Sequence, residues 1–497
     1  MSKIAPLLSL FLIVVISGCF GDEEFSTSPT DSLTLSSDTL SLDTVISGES
    51  TTTYKFWAYN PHKKAVRLRQ IQLEKGTGSP FRVNVDGMFL PGGSLPPDAN
   101  IEVSGGDSIR VFVEMTAPKT ESDSLIKIED KLTFTTESGA SSKIVLTAAA
   151  QDVITLKGVI VSDTLTLSGS KPYRILDSLY VAPGATLRVA PGTTLLFHAR
   201  TSLKVAGKLL AEGTQDKPVT FRCDRLDLMF ENQPYDRVPG NWGGLAFVEG
   251  SVGNRLTYCD IHGGTSGIKA TKAELRIENS SVHNFVEHLV ESIDSDIYIG
   301  NSEVTVSGGD CMIITGGSLM AVHCTIVRCM PIMTYMTEPA VALRFSNGKP
   351  DDKHPLTLCD FYNCIITGSE DDDIMGEDCS TTDDLTAFNY HFHSCLLNTP
   401  ESEDISQEGC LWDKYKPDAP GSEKDEDSSR LHNFDPLFNE GKLIWDFTLN
   451  PKSKAVGSAD ATVTWQTYPN DRNGHSRMTD SKSDMGCYEY ISPENKQ

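Results

Sequence analysis

A six-residue phrase recurs through the middle of the chain and constrains the fold more than any other feature. Leu256-Thr257-Tyr258-Cys259-Asp260-Ile261 is followed by Ile277-Glu278-Asn279-Ser280-Ser281-Val282, Ile299-Gly300-Asn301-Ser302-Glu303-Val304 and Ala321-Val322-His323-Cys324-Thr325-Ile326. Phe361-Tyr362-Asn363-Cys364-Ile365-Ile366 and Phe392-His393-Ser394-Cys395-Leu396-Leu397 continue it. The columns read apolar, variable, often Asn, Cys or Ser, variable, apolar. The first four Cys-or-Ser positions lie 21 or 22 residues apart. That is one coil of a stacked parallel-strand solenoid, with coils ~4.8 Å apart. Each column then becomes a ladder along the axis. Apolar columns fill the interior, the small Cys or Ser fits inside where the wall bends, and Asn amides can bond from coil to coil.

This frame changes what "VHCTIVRC", Val322 to Cys329, means. Alone, His323-Cys324 looks like a ligand pair. In register, His323 occupies the Asn column, Cys324 the small inward column and Ile326 an apolar one, while Cys329 falls beyond the unit with no assigned role. Later spacings are longer, 40 residues from Cys324 to Cys364 and 31 to Cys395. The excess is expected as loops near 331–355 and 369–385, where solenoids often carry binding work. Upstream, "LYVAPGATLRVAPGTTLLF" repeats Val-Ala-Pro-Gly at 181 and 189. It resembles the opening coils of right-handed parallel β-helix proteins of the pectin-lyase type. Residues 151–410 are therefore expected to form such a solenoid, of about ten to twelve coils.

From 32 to 150 the texture differs. "SLTLSSDTLSL", "TTTYKFWAY", "FRVNV", "IRVFVEM" and "KIVLTAA" alternate with period two between turn formers. About seven short strands at this spacing predict a β-sandwich of immunoglobulin type. The segment resembles the small Ig-like spacer domains of bacterial surface proteins. The fold class is thus all-β: an N-terminal Ig-like β-sandwich followed by a right-handed parallel β-helix, with 411–497 as a C-terminal end region.

The N-terminus reads as an export signal. Lys3 precedes an apolar stretch, Ile4 to Ile16, too short to span a bilayer, then Ser17-Gly18-Cys19. Ile16-Ser17-Gly18-Cys19 resembles the lipobox of bacterial lipoproteins, in which the Cys carries acyl chains such as palmitate. The resemblance implies a signal peptide over 1–18, lipid attachment at Cys19 and anchoring in the outer membrane. Asp22-Glu23-Glu24 resembles a surface-export signal, which implies the cell surface, and residues 19–31 have tether composition. At the other end, Asp435-Pro436-Leu437-Phe438 and Asp484-Met485-Gly486-Cys487-Tyr488-Glu489 resemble the C-terminal region of β-helix surface proteins of the choice-of-anchor Q type. Lys452-Ser453-Lys454-Ala455 stands where that family has Ser-Pro-Ala.

The formal charge is -25, which argues against nucleic acid and anionic lipid as partners. Eleven cysteines follow Cys19 without a CxxC, which fits neither a zinc knuckle nor a disulfide miniprotein. No catalytic residue, cofactor or metal ligand is assigned. Glu370, Asp371, Asp372, Asp373, Glu377 and Asp378 lack calcium-loop spacing and read as a solvated acidic loop. His391 and His393 share a strand face without a third ligand. His262 and His283 occupy equivalent positions and are expected to stack on the wall surface. Disulfides between stacked thiols such as Cys364 are conceivable, with small-residue packing the preferred reading. The sequence favours a non-catalytic surface scaffold that binds glycan or a protein partner. The alternatives are a polysaccharide lyase or hydrolase and an accessory lipoprotein of an outer-membrane complex.

Overall fold

A computed structural model describes residues 24–230, 233–329, 340–382, 385–413, 432–434, 444–479 and 482–492. Cys19, the Asp435-Pro436-Leu437-Phe438 stretch and residues 331–339 of the loop expected at 331–355 lie outside the described residues. The chain divides into two compact units, Met1–Asp152 and Val153–Gln497. Among the described residues no helix is long and apolar enough to cross a membrane.

The first unit is a sandwich of two five-stranded sheets. One runs in the order Thr34–Leu35, Tyr54–Tyr59, Ser108–Met115, Phe81–Val85, Met88–Phe89, all antiparallel. In the other, Thr39–Ile46 pairs in parallel with Ser141–Gln151, and Ile126–Thr136, Val66–Leu73 and Ile101–Val103 continue antiparallel. The period-two pattern explains the core. Phe81, Val83 and Val85 point inward while Arg82 and Asn84 do not. Phe56 and Phe134 meet edge to face, centroids 6.2 Å apart, the favoured aromatic geometry. Residues 24–31, tether-like in composition, lie on this sandwich: Phe25 bridges to Ala65 and packs under the Arg67 guanidinium at 4.1 Å.

The second unit is a right-handed parallel β-helix with three strands per coil. Among the described residues the first row of strands has ten members, from Thr164–Leu167 to Gln407–Glu408. The second row includes Cys259–His262, Ser281–Phe285, Glu303–Ser307, Thr325–Arg328 and Ile365–Gly368. The third includes Gly244–Phe247, Ile268–Thr271, Val290–Ile293, Met312–Thr315 and Leu343–Ser346. Inward Leu, Ile, Val and Phe from all three rows make one continuous core.

The recurring phrase is the corner between the first and second rows. Its Asn-column residues all adopt left-handed φ: Tyr258 47°, Asn279 51°, Asn301 49°, His323 51°, Asn363 53°, Ser394 47°. Asn is enriched there because its short polar side chain tolerates that backbone. The amide ladder also forms, with Asn301 Nδ2 donating to Asn279 Oδ1 at 2.7 Å. The next column is a second ladder. Ser280 Oγ accepts the Cys259 N–H at 2.9 Å, Ser302 Oγ that of Ser280 at 3.1 Å, Cys364 Sγ that of Cys324 at 3.4 Å, and Cys395 Sγ that of Cys364 at 3.3 Å. A buried backbone donor at each bend is satisfied by the small side chain one coil on. All eleven thiols are free, and burial pushes those of Cys324, Cys364 and Cys395 well above the usual range.

The C-terminal segment runs back along the outside of these coils. Gly486 N–H donates to Asn363 O at 2.8 Å and Cys487 N–H to Thr325 Oγ1 at 3.0 Å. Met485 and Cys487 join Val306, Val327, Cys329, Ile365 and Leu396 in a separate apolar cluster. Cys329 thus gains a role: it faces outward, under this segment. Gly486 has φ +88°, and a Cβ there would meet Thr325 Oγ1 at 2.7 Å, so the Asp484-Met485-Gly486 turn requires glycine. Arg477 is fully buried, paired with Glu489 at 3.1 Å, and donates to Asn301 Oδ1 at 2.9 Å. His323 holds the same segment, its Nε2 lying 2.8 Å from Thr464 Oγ1.

Candidate functional site

The second row of strands presents its outward side chains to two overlays, the excursion 224–243 and the C-terminal segment 444–490. Where they meet lies a recess of about 180 Å³. Its floor is Ser281, His283 and Asn284 on one strand and Glu303, Thr305 and Val306 on the next. Arg237 forms one wall, and Trp445, Phe447, Arg472 and Tyr488 the other.

The floor is strained. Asn284 has φ 58° and Val306 φ 62°, and a β-branched residue in the left-handed region is an outlier of the kind that gathers at functional sites. The wall is polar and mostly satisfied. Arg472 Nη1 donates to the Tyr488 hydroxyl at 2.7 Å, that hydroxyl donates to Glu303, and Thr305 Oγ1 donates to Glu303 Oε1 at 2.8 Å. Burial, with Glu303 alongside, raises the Tyr488 phenol well above its usual range. The Nε–H of Arg472, by contrast, finds no acceptor among the described residues. A buried donor without a partner costs about 1–3 kcal/mol, a cost the fold carries beneath the wall of the recess.

Behind the floor sits a charged network. His262 Nδ1 lies 2.8 Å from Asp260 Oδ1, and its Nε2 3.2 Å from Asp236 Oδ2. His283 Nε2 lies 2.9 Å from Asp260 Oδ1. Arg222 pairs with Asp236 at 2.9 Å. Desolvation opposes both carboxylate charges. The imidazoles nevertheless hold Asp260 well below the usual carboxylate range, and His262 with Arg222 holds Asp236 at about 2. Burial pushes His283 below the usual imidazole value. Both rings are buried, 1% and 8% exposed. This corrects the expectation that they lie on the wall surface: the two overlays cover them.

The other histidine pair is drawn into a group, His391, His393 and Glu408, whose ligand atoms lie within 4.8 Å of one another. Its rings are already committed. His393 Nε2 lies 2.8 Å from Asp460 Oδ2, and His391 Nδ1 2.9 Å from Ser406 Oγ. Asp460 also accepts the N–H groups of Thr462 and Val463 as N-cap of the helix Ala461–Thr467, so His393 fastens the C-terminal segment.

The acidic run does not converge. Glu370 pairs with Arg328 at 3.3 Å, Glu377 with Arg344 at 3.3 Å, and Asp378 accepts from Asn347 Nδ2 at 2.6 Å. Nor is it wholly solvated, as the sequence suggested: Asp373 is fully buried. Asn398 Nδ2 donates to its Oδ2 at 2.6 Å, while Oδ1 has no partner among the described residues. Burial, reinforced by Glu370 and Asp372 and opposed by Asn398 and Arg328, raises its carboxyl to about 7. An unfolded Asp titrates near ~3.9. The folded value is the higher, so the stability linked to the neutral form is complete below about pH 4 and is lost as pH rises through about 7. Asp373→Asn is expected to remove that loss. Thermal melts at pH 5 and pH 8 check it. The gap between wild type and variant is expected to widen at pH 8 by a few kcal/mol at most, and equal gaps at both pH values would contradict the assignment.

On the sandwich, a recess of about 410 Å³ is lined by Val83, Phe89, Phe112 and Val113 with Arg82 and Glu114 at its edge. It gathers no titratable cluster beyond the Arg82–Glu114 ion pair at 2.7 Å.

Fold and site define an all-β solenoid protein with a small, cation-walled recess on one flank. No family model matches the chain, and no curated protein is similar to it. Among solved structures, pectate lyase Pel9A is similar at 13% identity and TM-score 0.27, over 69% of this chain and 88% of that one. A catalytic domain of GH87 α-1,3-glucanase in complex with nigerose is similar at 9% identity and TM-score 0.19, over 70% and 82%. A PapD-like domain of human CEP192 is similar at 9% identity and TM-score 0.17, over 27% and 96%.

Proposed function

We propose that this protein is an exported, lipid-anchored scaffold that holds an acidic sugar in the recess between 224–243 and 444–490, without transforming it. The carrying observation is the wall: Arg237 and Arg472 line a recess in a chain of formal charge -25. A carboxylate satisfies guanidinium donors, often in pairs. Ser281 offers a hydrogen bond to a ring hydroxyl, and Trp445 and Phe447 offer an apolar face. A water takes ~30 Å³ of liquid, so the recess holds one sugar unit, an end or a branch, rather than a length of polymer.

The non-catalytic reading is supported by commitment. A lyase or hydrolase needs a base able to take a proton from its substrate. Here the Tyr488 hydroxyl is spent on Glu303 and Arg472, and His283 is packed between Asp260 and Asn284.

Titration calorimetry with short uronic-acid oligomers tests the reading. Wild type is expected to bind. Arg472→Met is expected to weaken binding at least tenfold, the loss of one charged hydrogen bond of about 1.5–3 kcal/mol. Neutral oligomers are expected not to bind. Equal affinity for neutral and acidic oligomers would sink the proposal, and ultraviolet absorbance from unsaturated products would replace it with a lyase.

Anchoring belongs to the same proposal. The lipobox-like Ile16-Ser17-Gly18-Cys19, with acidic residues just after it, supports acylation at Cys19 and an outer-membrane, cell-surface location. The Asp484 to Glu489 stretch supports kinship with the choice-of-anchor Q proteins. Cys19→Ala is expected to abolish fatty-acid labelling and membrane partition. A variant that still labels and sediments with membranes would refute this element.

A further inference from the structure

We propose that Asp260, His262 and His283 form a site for one first-row transition-metal dication of the zinc type. The site shares His283 and Arg237 with the lining of the recess, and metal titration without sugar reads it separately. The strands Cys259–His262 and Ser281–Phe285 pair in parallel with His262 directly opposite His283. The imidazoles therefore stack one coil apart, centroids 4.9 Å and planes 16° apart. One ligand atom from each of the three residues lies within 4.8 Å of the others.

Donor and acceptor accounting carries the inference further. A neutral imidazole has a single N–H and a carboxylate only accepts. His262 faces a carboxylate at both nitrogens, Asp260 at 2.8 Å and Asp236 at 3.2 Å. His283 faces Asp260 Oδ1 at 2.9 Å and Asn284 Oδ1 at 2.8 Å, with the Arg237 Nη1 donor 3.1 Å from its Nε2. The Asn284 amide is oriented by its Nδ2, which donates to Arg237 O at 2.8 Å. Put the His262 proton on Nε2, toward Asp236, and the His283 proton on Nδ1, toward Asn284. His262 Nδ1 and His283 Nε2 then each turn a lone pair toward Asp260 Oδ1, at 2.8 and 2.9 Å. Metal-ligating histidines donate their other N–H to a carboxylate or carbonyl in this way, which fixes tautomer and ring orientation. Without a metal, one extra proton on His262 serves both Asp260 and Asp236 while His283 Nε2 accepts from Arg237; a bound dication takes the place of that proton.

Two imidazoles and one carboxylate suit zinc, iron, nickel or copper rather than calcium or magnesium. Metal bonds of ~2.0–2.2 Å place ligand atoms roughly 3.2–3.4 Å apart, so the present 2.8 and 2.9 Å contacts open by a few tenths of an ångström. Arg237 Nη1, 3.1 Å from His283 Nε2, shifts toward Asp260 Oδ2, which lies 3.9 Å from its Nη2.

The test uses the full chain, stripped by chelator dialysis and titrated with Co²⁺, then Zn²⁺. The expected result is one equivalent of cobalt with visible ligand-field bands, no thiolate charge-transfer band in the near ultraviolet, and displacement by zinc. His283→Gln and Asp260→Asn are expected to lose the bands. Asp236→Asn, which keeps all three ligands, is expected to weaken binding about 10–100-fold. His391→Ala is expected to change nothing. The proposal is overturned if the wild-type chain binds no cobalt at micromolar concentration, if thiolate bands appear, or if binding survives His283→Gln and is lost in His391→Ala. The wild-type stoichiometry and spectrum decide the matter even where a variant fails to fold.

Discussion

Arg477→Ala is expected to release the C-terminal segment from the β-helix and to cost about 3–5 kcal/mol, because three buried acceptors lose their donor at about 1–3 kcal/mol each. Arg477 is 0% exposed. Its guanidinium pairs with Glu489 and donates to Asn301 Oδ1, Gly486 O and Asp484 O at 2.9 to 3.2 Å. Burial already raises the Glu489 carboxyl to about 8 despite that pairing, so without the arginine it is held neutral and bonds to no cation. Two readouts are independent. The β-helix melting transition falls, and Cys329 and Cys487, both buried in the cluster the segment makes, become reactive to thiol reagents. A variant with wild-type melting and no newly reactive thiol would contradict the role given to this residue.

Trp242→Ala is the second large effect, about 3–5 kcal/mol. The ring is fully buried, stacked on Phe197 with centroids 4.4 Å apart and tilted against Phe285 at 6.1 Å. Its Nε1 donates to the His262 carbonyl at 2.8 Å. Trp242→Phe keeps most of the apolar contact but orphans that carbonyl, so a smaller loss, about 1–3 kcal/mol, is expected. Denaturant midpoints of the two variants check the order. Equal losses would mean the ring packing contributes nothing beyond the hydrogen bond, and no loss in Trp242→Phe would mean the hydrogen bond contributes nothing. Trp242 closes the excursion that carries Asp236 and Arg237, so the alanine variant is also expected to weaken ligand binding in the recess.

The repeat was legible because the pleat and the coil length leave period and register in the sequence. Cys259, Ser280, Ser302, Cys324, Cys364 and Cys395 do form one column, bonded coil to coil. The Asn column was read for its amides, and Asn301 to Asn279 forms such a bond. The shared left-handed backbone of that column was not read, because a φ value leaves only a residue preference behind. The flank was not legible at all. His323 meets Thr464, Arg477 meets Asn301 and Tyr488 meets Glu303, pairs more than a hundred positions apart with no period linking them. For the same reason His262 and His283 read as wall surface: periodicity shows that a side chain points outward, not that another segment will cover it. Asp373 was hidden by its neighbours, since a stretch with five other carboxylates resembles solvated surface whichever one turns inward.

The central claim, that the flank recess binds an acidic sugar, is most directly tested by hydrogen exchange with and without a saturating uronic-acid oligomer. New protection is expected in peptides covering 235–241, 281–286, 303–307 and 444–447 and around Arg472 and Tyr488, with the exposed first-row strands bearing Arg255 and Arg276 unchanged. Protection on those first-row strands instead, or none anywhere at saturation, would contradict it.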